Sequence, residues 1–259
     1  MAQVQLTKRI EFAAAHRYQN DAWDADRNRR VFGACNNAPG HGHNYLLEVT
    51  TTGEVDRRTG MVVNLYNLKQ VLKEVLEEFD HKHLNLDTPY FKDTIPTTEN
   101  VAAVFWRILS ARRGIGEVAR VRLYEDDDLY ADVRAPGPRA SLTRRYHFSA
   151  AHRLRPSAST DLPQEGHNYE LEVTVEGAID RQTGMVVDIA RLDQVVREQV
   201  LQRFDRRNLN EDGEFSRRPA TGENLAHVIW KVLVDAVPGG RLRRVGLGES
   251  REVLFEYEG

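Results

Sequence analysis

The chain repeats itself, and that duplication constrains its fold more than any other feature. Phe12-Ala13-Ala14-Ala15-His16 returns as Phe148-Ser149-Ala150-Ala151-His152, an offset of 136 residues. Gly42-His43-Asn44-Tyr45 returns as Gly166-His167-Asn168-Tyr169, an offset of 124. Thr59-Gly60-Met61-Val62-Val63 recurs as Thr183-Gly184-Met185-Val186-Val187, and Phe79-Asp80 and Glu99-Asn100 recur as Phe204-Asp205 and Glu223-Asn224. The fall in offset means that the second copy has lost about a dozen residues from one loop, the loop that carries Cys35 in the first copy. Ala135-Pro136-Gly137-Pro138 marks the joint, because two prolines around a glycine stop both helix and ladder. The expected organisation is a first domain over 1–134, a linker over 135–140 and a second domain over 141–259.

Each copy reads as strand, strand, helix, helix, strand, strand. In the first, strands are expected over Val4 to Ala15 and Tyr45 to Glu54. Asn64 can cap a helix whose apolar positions Leu65, Leu68, Leu72, Val75, Leu76 and Phe79 follow helical spacing. Thr97 or Thr98 can cap another, with Val101, Val104, Phe105, Ile108 and Leu109 on one face. Val118 to Tyr124 and Leu129 to Val133 complete the unit as a hairpin. The second copy repeats this with helices over Ile189 to Phe204 and Leu225 to Ala236, then strands over Leu242 to Leu247 and Val253 to Tyr257. The class is α+β, each unit a four-stranded antiparallel sheet with two helices on one face. The other face needs cover, or the edges need pairing between protomers.

Composition narrows the partners. A formal net charge of −3 argues against a nucleic-acid binder. A single cysteine excludes an intramolecular disulfide and fits a reducing compartment. Met1 to Glu11 is polar, and no apolar run approaches the ~18 residues of a membrane span, so a cytoplasmic protein without membrane partners is expected.

Chemistry concentrates between Cys35 and Tyr45. If a strand begins at His41, the pleat puts His41 and His43 on one face. His16, at the end of the first strand, can supply a third imidazole. Three neutral histidines with a fourth position open is the pattern of catalytic rather than structural zinc.

These motifs resemble the 6-pyruvoyl-tetrahydropterin synthase family, whose members adopt the tunnelling fold. The resemblance rests on Phe12 to His16, Cys35 to His43, Gly60 to Leu65, Phe79-Asp80-His81 through Leu84-Asn85, Thr97 to Asn100 and Tyr124-Glu125, in the family's order. It implies two tandem tunnelling-fold units, and zinc on His16, His41 and His43. It implies Cys35 as the proton-shuttling base, with Asp80 and His81 as the partner acid–base pair. It also implies Glu125 as the carboxylate that anchors a pterin ring, with Thr98 or Glu99 nearby. The implied reaction converts 7,8-dihydroneopterin triphosphate to 6-pyruvoyltetrahydropterin with loss of triphosphate. Zinc would act as a Lewis acid on the substrate's hydroxylated tail and acidify its C–H bonds, and a thiolate beside the metal can take the proton. Asp80 would orient His81 and support its charged form. The wide spacing of Cys35 from His41 looks like the animal enzymes of tetrahydrobiopterin synthesis. The nearest rival is a 6-carboxytetrahydropterin synthase of the queuosine type, using the same substrate and metal. A rival of another class is a non-catalytic pterin-binding or scaffold protein.

The second copy departs from the pattern. Its cysteine is gone, Glu165 stands where the first histidine of His-Gly-His should be, and Asp-His becomes Asp205-Arg206. His152, Glu165 and His167 remain as a vestigial metal site, since zinc accepts two histidines and a carboxylate. A non-catalytic repeat that completes a homo-oligomer is expected. If single-domain relatives are two stacked trimers, this protein would assemble as a trimer.

Overall fold

The computed structural model describes residues 3–135, 139–153 and 164–259; positions 136–138 of the expected linker lie outside the described residues. The alternation read from the first repeat sets its sheet. Strand β1 (Gln3–His16) runs antiparallel to β2 (His41–Glu54), with Gln3 opposite Glu54 and His16 opposite His41. Between them in sequence comes α1 (Ala25–Phe32), which the sequence did not announce. Asp24 caps it by accepting from the Arg27 N–H, and Phe32 stacks on Trp23 with centroids 5.7 Å apart.

After β2, Asn64 accepts from the Tyr66 and Asn67 amides and starts α2 (Leu65–Leu76). The short β3 (Lys82–His83) pairs in parallel with β1, followed by one helical turn, α3 (Leu84–Asp87). Thr97 caps α4 (Thr98–Ser110) through the Asn100 amide. Then β4 (Glu117–Asp126) and β5 (Leu129–Arg134) form the expected hairpin. The sheet order is β5-β4-β2-β1-β3.

The second repeat supplies β6 (Arg139–His152), β7 (Glu165–Ala178), α5 (Ile189–Val196), α6 (Gln202–Phe204), β8 (Arg207–Asn208), α7 (Gly222–Leu233), β9 (Arg241–Gly248) and β10 (Leu254–Tyr257). Its order is β10-β9-β7-β6, with β8 on β6. The four long antiparallel strands and two main helices of each repeat are therefore present. The helix expected over Ile189 to Phe204 is not continuous: a wider π turn, Arg197–Leu201, separates α5 from α6. The cause is a single inserted residue. Asn64 to Asp188 is 124 positions, but Phe79 to Phe204 is 125. Absorbing it as a π turn keeps Leu192, Val196, Val200 and Phe204 on the buried face.

The protein divides into two compact units that do not follow the repeat boundary. The first comprises Met1–Leu142 with Gly177–Val186, and the second Thr143–Glu176 with Val187–Gly259. The loop after β7 belongs by sequence to the second repeat and by packing to the first unit.

In the first unit Phe12 stacks on Tyr45 at 5.1 Å, and Phe105 meets Phe12 at 5.5 Å and Phe79 at 4.4 Å. Leu68, Leu72, Val101 and Leu109 are fully buried around them. The other face of this sheet carries ion pairs instead of an apolar cover. Glu48 pairs with Arg9 at 2.8 Å and Arg120 at 3.3 Å, and Asp132 takes Arg122 at 2.9 Å. Both carboxylates are buried, and pairing is what makes that tolerable. Among the described residues no helix is long and apolar enough to cross a membrane.

Candidate metal centre

His16 and His41 face each other across β1 and β2, and His43 follows two residues along the same face, so period-two alternation gathers three imidazoles. Their ring nitrogens lie within 4.8 Å of one another. Two hydrogen bonds fix which nitrogens face inward. The Pro96 carbonyl accepts from His16 Nδ1 at 3.2 Å, and Asn37 Oδ1 accepts from His41 Nδ1 at 2.8 Å. Each proton therefore sits on Nδ1, and the two Nε2 lone pairs confront each other at 3.3 Å. His43 Nε2 is buried without a hydrogen-bond partner. With His16 Nε2 and His41 Nε2 turned to each other and His43 Nε2 unpartnered, the three imidazoles can fit a divalent cation. Burial is the main cause that holds the His16 imidazole down to about 4, with Glu125 pulling the other way, so it is neutral at pH 7. Burial and then His43 lower His41 as well. Gly40 allows this packing: at φ +134 its missing Cβ would fall 2.6 Å from the His16 carbonyl oxygen.

Glu125 lies at the same end of the sheet, 4% exposed, with Oε1 3.6 Å from His43 Nε2. Its Oε2 accepts from the Tyr18 hydroxyl at 2.9 Å and from Thr98 Oγ1 at 2.5 Å. Glu99, the next residue along α4, is fully buried. Its Oε1 accepts from the Val186 amide at 2.9 Å, and its Oε2 has no partner among the described residues. Burial above all raises this carboxyl from 4.5 to about 7. The folded state thus keeps a proton that the unfolded chain has already released. Stability from this group is full below about pH 4.5, declines as pH rises and levels off above about 7. Glu99→Gln is therefore expected to stabilise the protein by about 2 kcal/mol near pH 8 and by little near pH 5. Thermal melts at both pH values check this, and an equal shift at both would remove the explanation.

Cys35 sits in a 3₁₀ turn, Gly33–Asn36, zipped to the residues after His16. The Tyr18 amide donates to the Cys35 carbonyl at 2.8 Å, and Asn36 Nδ2 donates to the Tyr18 carbonyl at 2.8 Å. Burial, Glu125 and then Cys35 push the Tyr45 hydroxyl well above the phenol range, and that hydroxyl lies 3.0 Å from His16 Nδ1. The thiol therefore belongs to the neighbourhood of the histidines and Glu125. Asp80 and His81 are placed differently. Asp80 Oδ1 accepts from the Ala13 amide at 2.9 Å and lies 3.0 Å from His81 Nδ1, while the His81 side chain is 82% exposed. His81 takes φ 56, held by its amide donating to the Ala13 carbonyl. The two side chains meet at the surface.

The second unit keeps a reduced version of this centre. His152 Nε2 lies 3.1 Å from His167 Nε2 and 4.0 Å from Glu165 Oε2, and its Nδ1 donates to the Ala220 carbonyl at 2.5 Å. Glu249 stands 3.7 Å from His152 and accepts from the Tyr169 hydroxyl at 3.1 Å. Arg206 adopts the same left-handed backbone as His81, at φ 57.

Sequence reasoning missed Tyr18 and Tyr45 as supports of Glu125 and His16. Only the position of Tyr45 two residues after His43 on the same strand face hinted at the second. It also missed the place of the Gly184-Met185-Val186 loop, whose sole signal was its likeness to Gly60-Met61-Val62.

A family model described as 6-pyruvoyl tetrahydropterin synthase matches this chain twice, over residues 5–136 and 141–259. The human 6-pyruvoyl tetrahydrobiopterin synthase is 44% identical over 127 residues, 49% of this chain and 88% of that protein. A protein of Archaeoglobus fulgidus provisionally named 6-carboxy-5,6,7,8-tetrahydropterin synthase is 36% identical over 110 residues, 40% of this chain and 89% of its own. The crystal structure of uricase from Arthrobacter globiformis covers all of this chain and 93% of its own at a TM-score of 0.54 and 8% identity, a likeness of fold alone. With both repeats matched from end to end, the chain belongs to the 6-pyruvoyl tetrahydropterin synthase family, as a tandem pair of its units.

Proposed function

We propose that the first repeat is a zinc-dependent lyase acting on 7,8-dihydroneopterin triphosphate and releasing 6-pyruvoyltetrahydropterin and triphosphate. The observation that carries the reading is the convergence of the His16, His41 and His43 lone pairs beside the buried carboxylate of Glu125 and the Cys35 turn. Zinc held there would polarise the oxygens of the substrate's tail and acidify the adjoining C–H bonds. Glu125 accepts hydrogen bonds from the pterin's ring N–H groups, its charge already steadied by Tyr18 and Thr98. Glu99, its carboxyl raised by burial to about 7, follows Thr98 at the start of α4 as a second polar contact. The Cys35 thiolate removes the proton from the substrate's tail. His81, oriented by Asp80, returns a proton from the face that another protomer would present.

Arg17, Lys92 and His83 line a cleft of about 600 Å³ beside Pro39 and suit the triphosphate. The second repeat, without thiol or shuttle histidine, is a non-catalytic unit of a homo-oligomer, with a trimer of two-domain protomers favoured. Its His152, Glu165 and His167 form a vestigial metal site. The cytoplasm, where the lone cysteine stays reduced, is the expected location.

The Archaeoglobus relative supports a second reading, a carboxy product from the same residues. Mass-resolved product analysis of zinc-loaded protein separates the readings: a pyruvoyl pterin is expected, and a carboxy pterin would move the protein to the second. His16→Ala is expected to lose both bound zinc and turnover. Turnover that persists without zinc would remove the metal from the reaction.

A further inference from the structure

The second repeat rebuilds the surroundings of its carboxylate. Two hydroxyls, from Tyr18 and Thr98, hold Glu125 Oε2 in the first repeat. Their counterparts around Glu249 are gone. Leu154 stands two residues past His152 as Tyr18 stands past His16, and Gly222 follows Thr221 as Thr98 follows Thr97. Neither has a side-chain donor to offer. Phe255 takes the room at the start of α7: it lies opposite Leu247 where Ala131 lies opposite Leu123, and a Cβ at 222 would run into its ring.

The released carboxylate faces the histidines. Glu125 Oε1 reaches one imidazole, His43 Nε2 at 3.6 Å. Glu249 Oε1 reaches both of its own, His152 Nε2 at 3.7 Å and His167 Nε2 at 3.8 Å. Glu165 Oε2 lies 4.0 and 3.8 Å from the same two nitrogens, which are 3.1 Å apart. Every separation that involves a histidine thus falls between 3.1 and 4.0 Å. Donors at tetrahedral angles on zinc, with bonds of about 2.0–2.2 Å, stand about 3.3–3.6 Å apart. His152 is set for ligation, because its Nδ1 donates to the Ala220 carbonyl and leaves the lone pair on Nε2.

Charge points the same way. Three neutral imidazoles leave a divalent cation its full charge and an open position, which Lewis-acid chemistry needs. Two imidazoles and two carboxylates cancel the charge and fill the positions, as a structural ion requires.

We propose that the second repeat binds a zinc-type divalent cation in a closed site of four ligands, His152, Glu165, His167 and Glu249. Glu249, the counterpart of Glu125, serves the metal, so this repeat offers neither an open coordination position nor a carboxylate for a ring. His152 ends β6, Glu165 begins β7 and Glu249 follows β9, so the ion ties three strand ends together and stabilises the second unit. The site does not depend on the reaction proposed for the first repeat.

Metal titration of the full-length protein, stripped by chelator, tests it without any turnover. The unaltered protein is expected to bind two zinc ions per chain. His16→Ala and, separately, His41→Ala empty the first centre and are each expected to keep one. In either variant Co²⁺ is expected to give the intense visible bands of a tetrahedral ion, unmoved by azide because no position is open. Adding Glu249→Gln should weaken zinc binding by more than the roughly 10–100-fold that loss of an outer hydrogen-bond partner costs, and let azide shift the bands. Zinc should raise the melting temperature of the His16→Ala protein and leave that of a His16→Ala, His167→Ala double variant unchanged. Absence of zinc from both first-centre variants, cobalt bands that azide shifts while Glu249 is present, unchanged affinity on Glu249→Gln, or no stabilisation by zinc would each overturn the proposal.

Discussion

Cys35→Ala is expected to lower kcat by about 10²–10⁴-fold, the usual worth of a positioned general base, with bound zinc unchanged. The separation follows from how the turn is held. Three of its contacts to the residues after His16 do not use the thiol: Tyr18 N–H to the Cys35 carbonyl, Asn36 Nδ2 to the Tyr18 carbonyl, and the Arg17 guanidinium Nε to the Asn36 carbonyl at 3.1 Å. Removing the sulfur leaves all three in place. The histidines are aligned separately by the β1–β2 ladder and by Pro96 and Asn37. The metal should therefore stay while the proton acceptor is lost. KM should change little, because the thiolate acts on a proton that moves in the transition state rather than on the bound pterin. Stopped-flow and steady-state assays, with metal analysis of the same samples, check the two halves of the expectation. A variant that retains more than about a tenth of the rate would assign the base elsewhere; one that sheds its zinc would make Cys35 a ligand.

Much of this site was legible in the residues. His41 and His43 share a face because strands alternate, and that needs no structure. The duplication was legible for the same reason a motif search works, since loops such as Asp56–Val63 and Asp180–Val187 kept their residues. Helix α1 was hidden because its segment is strongly polar, with Phe32 among the few apolar side chains it buries. The π turn was foreshadowed by the one-residue change in offset, but an offset cannot say whether a helix bulges or a loop lengthens. Contacts at long separation were the least legible. Tyr18 to Glu125 spans 107 residues and Glu99 to Val186 spans 87, and neither pair has local periodicity to announce it. The surface position of His81 was likewise invisible, since its left-handed backbone is set by the Ala13 carbonyl from a distant strand.

Glu125→Gln carries the second large expectation, a fall in kcat/KM of about 10²-fold through loss of one or two charge-assisted hydrogen bonds at about 1.5–3 kcal/mol each. The glutamine is nearly the same shape, so the Tyr18 and Thr98 hydroxyls can still donate to its oxygen. With the oxygen turned to those donors, the amide NH₂ occupies the place of Oε1, beside His43. There it presents N–H groups to the N–H groups of the ring, turning an attraction into a donor–donor clash. The loss should fall mostly on KM, because the ring is held alike in ground state and transition state. Thr98→Val gives the contrast: it removes one neutral donor to the carboxylate but leaves the charge, at a cost of about 1 kcal/mol. Glu125→Ala is the weaker experiment, since it strands two buried hydroxyls and mixes a folding penalty with the binding one. If Glu125→Gln and Thr98→Val raise KM equally, the charge is not what recognises the ring, and Glu125 is a support for Tyr18 and Thr98. If KM holds while kcat collapses, the carboxylate acts in the proton transfers and shares the work now given to Cys35.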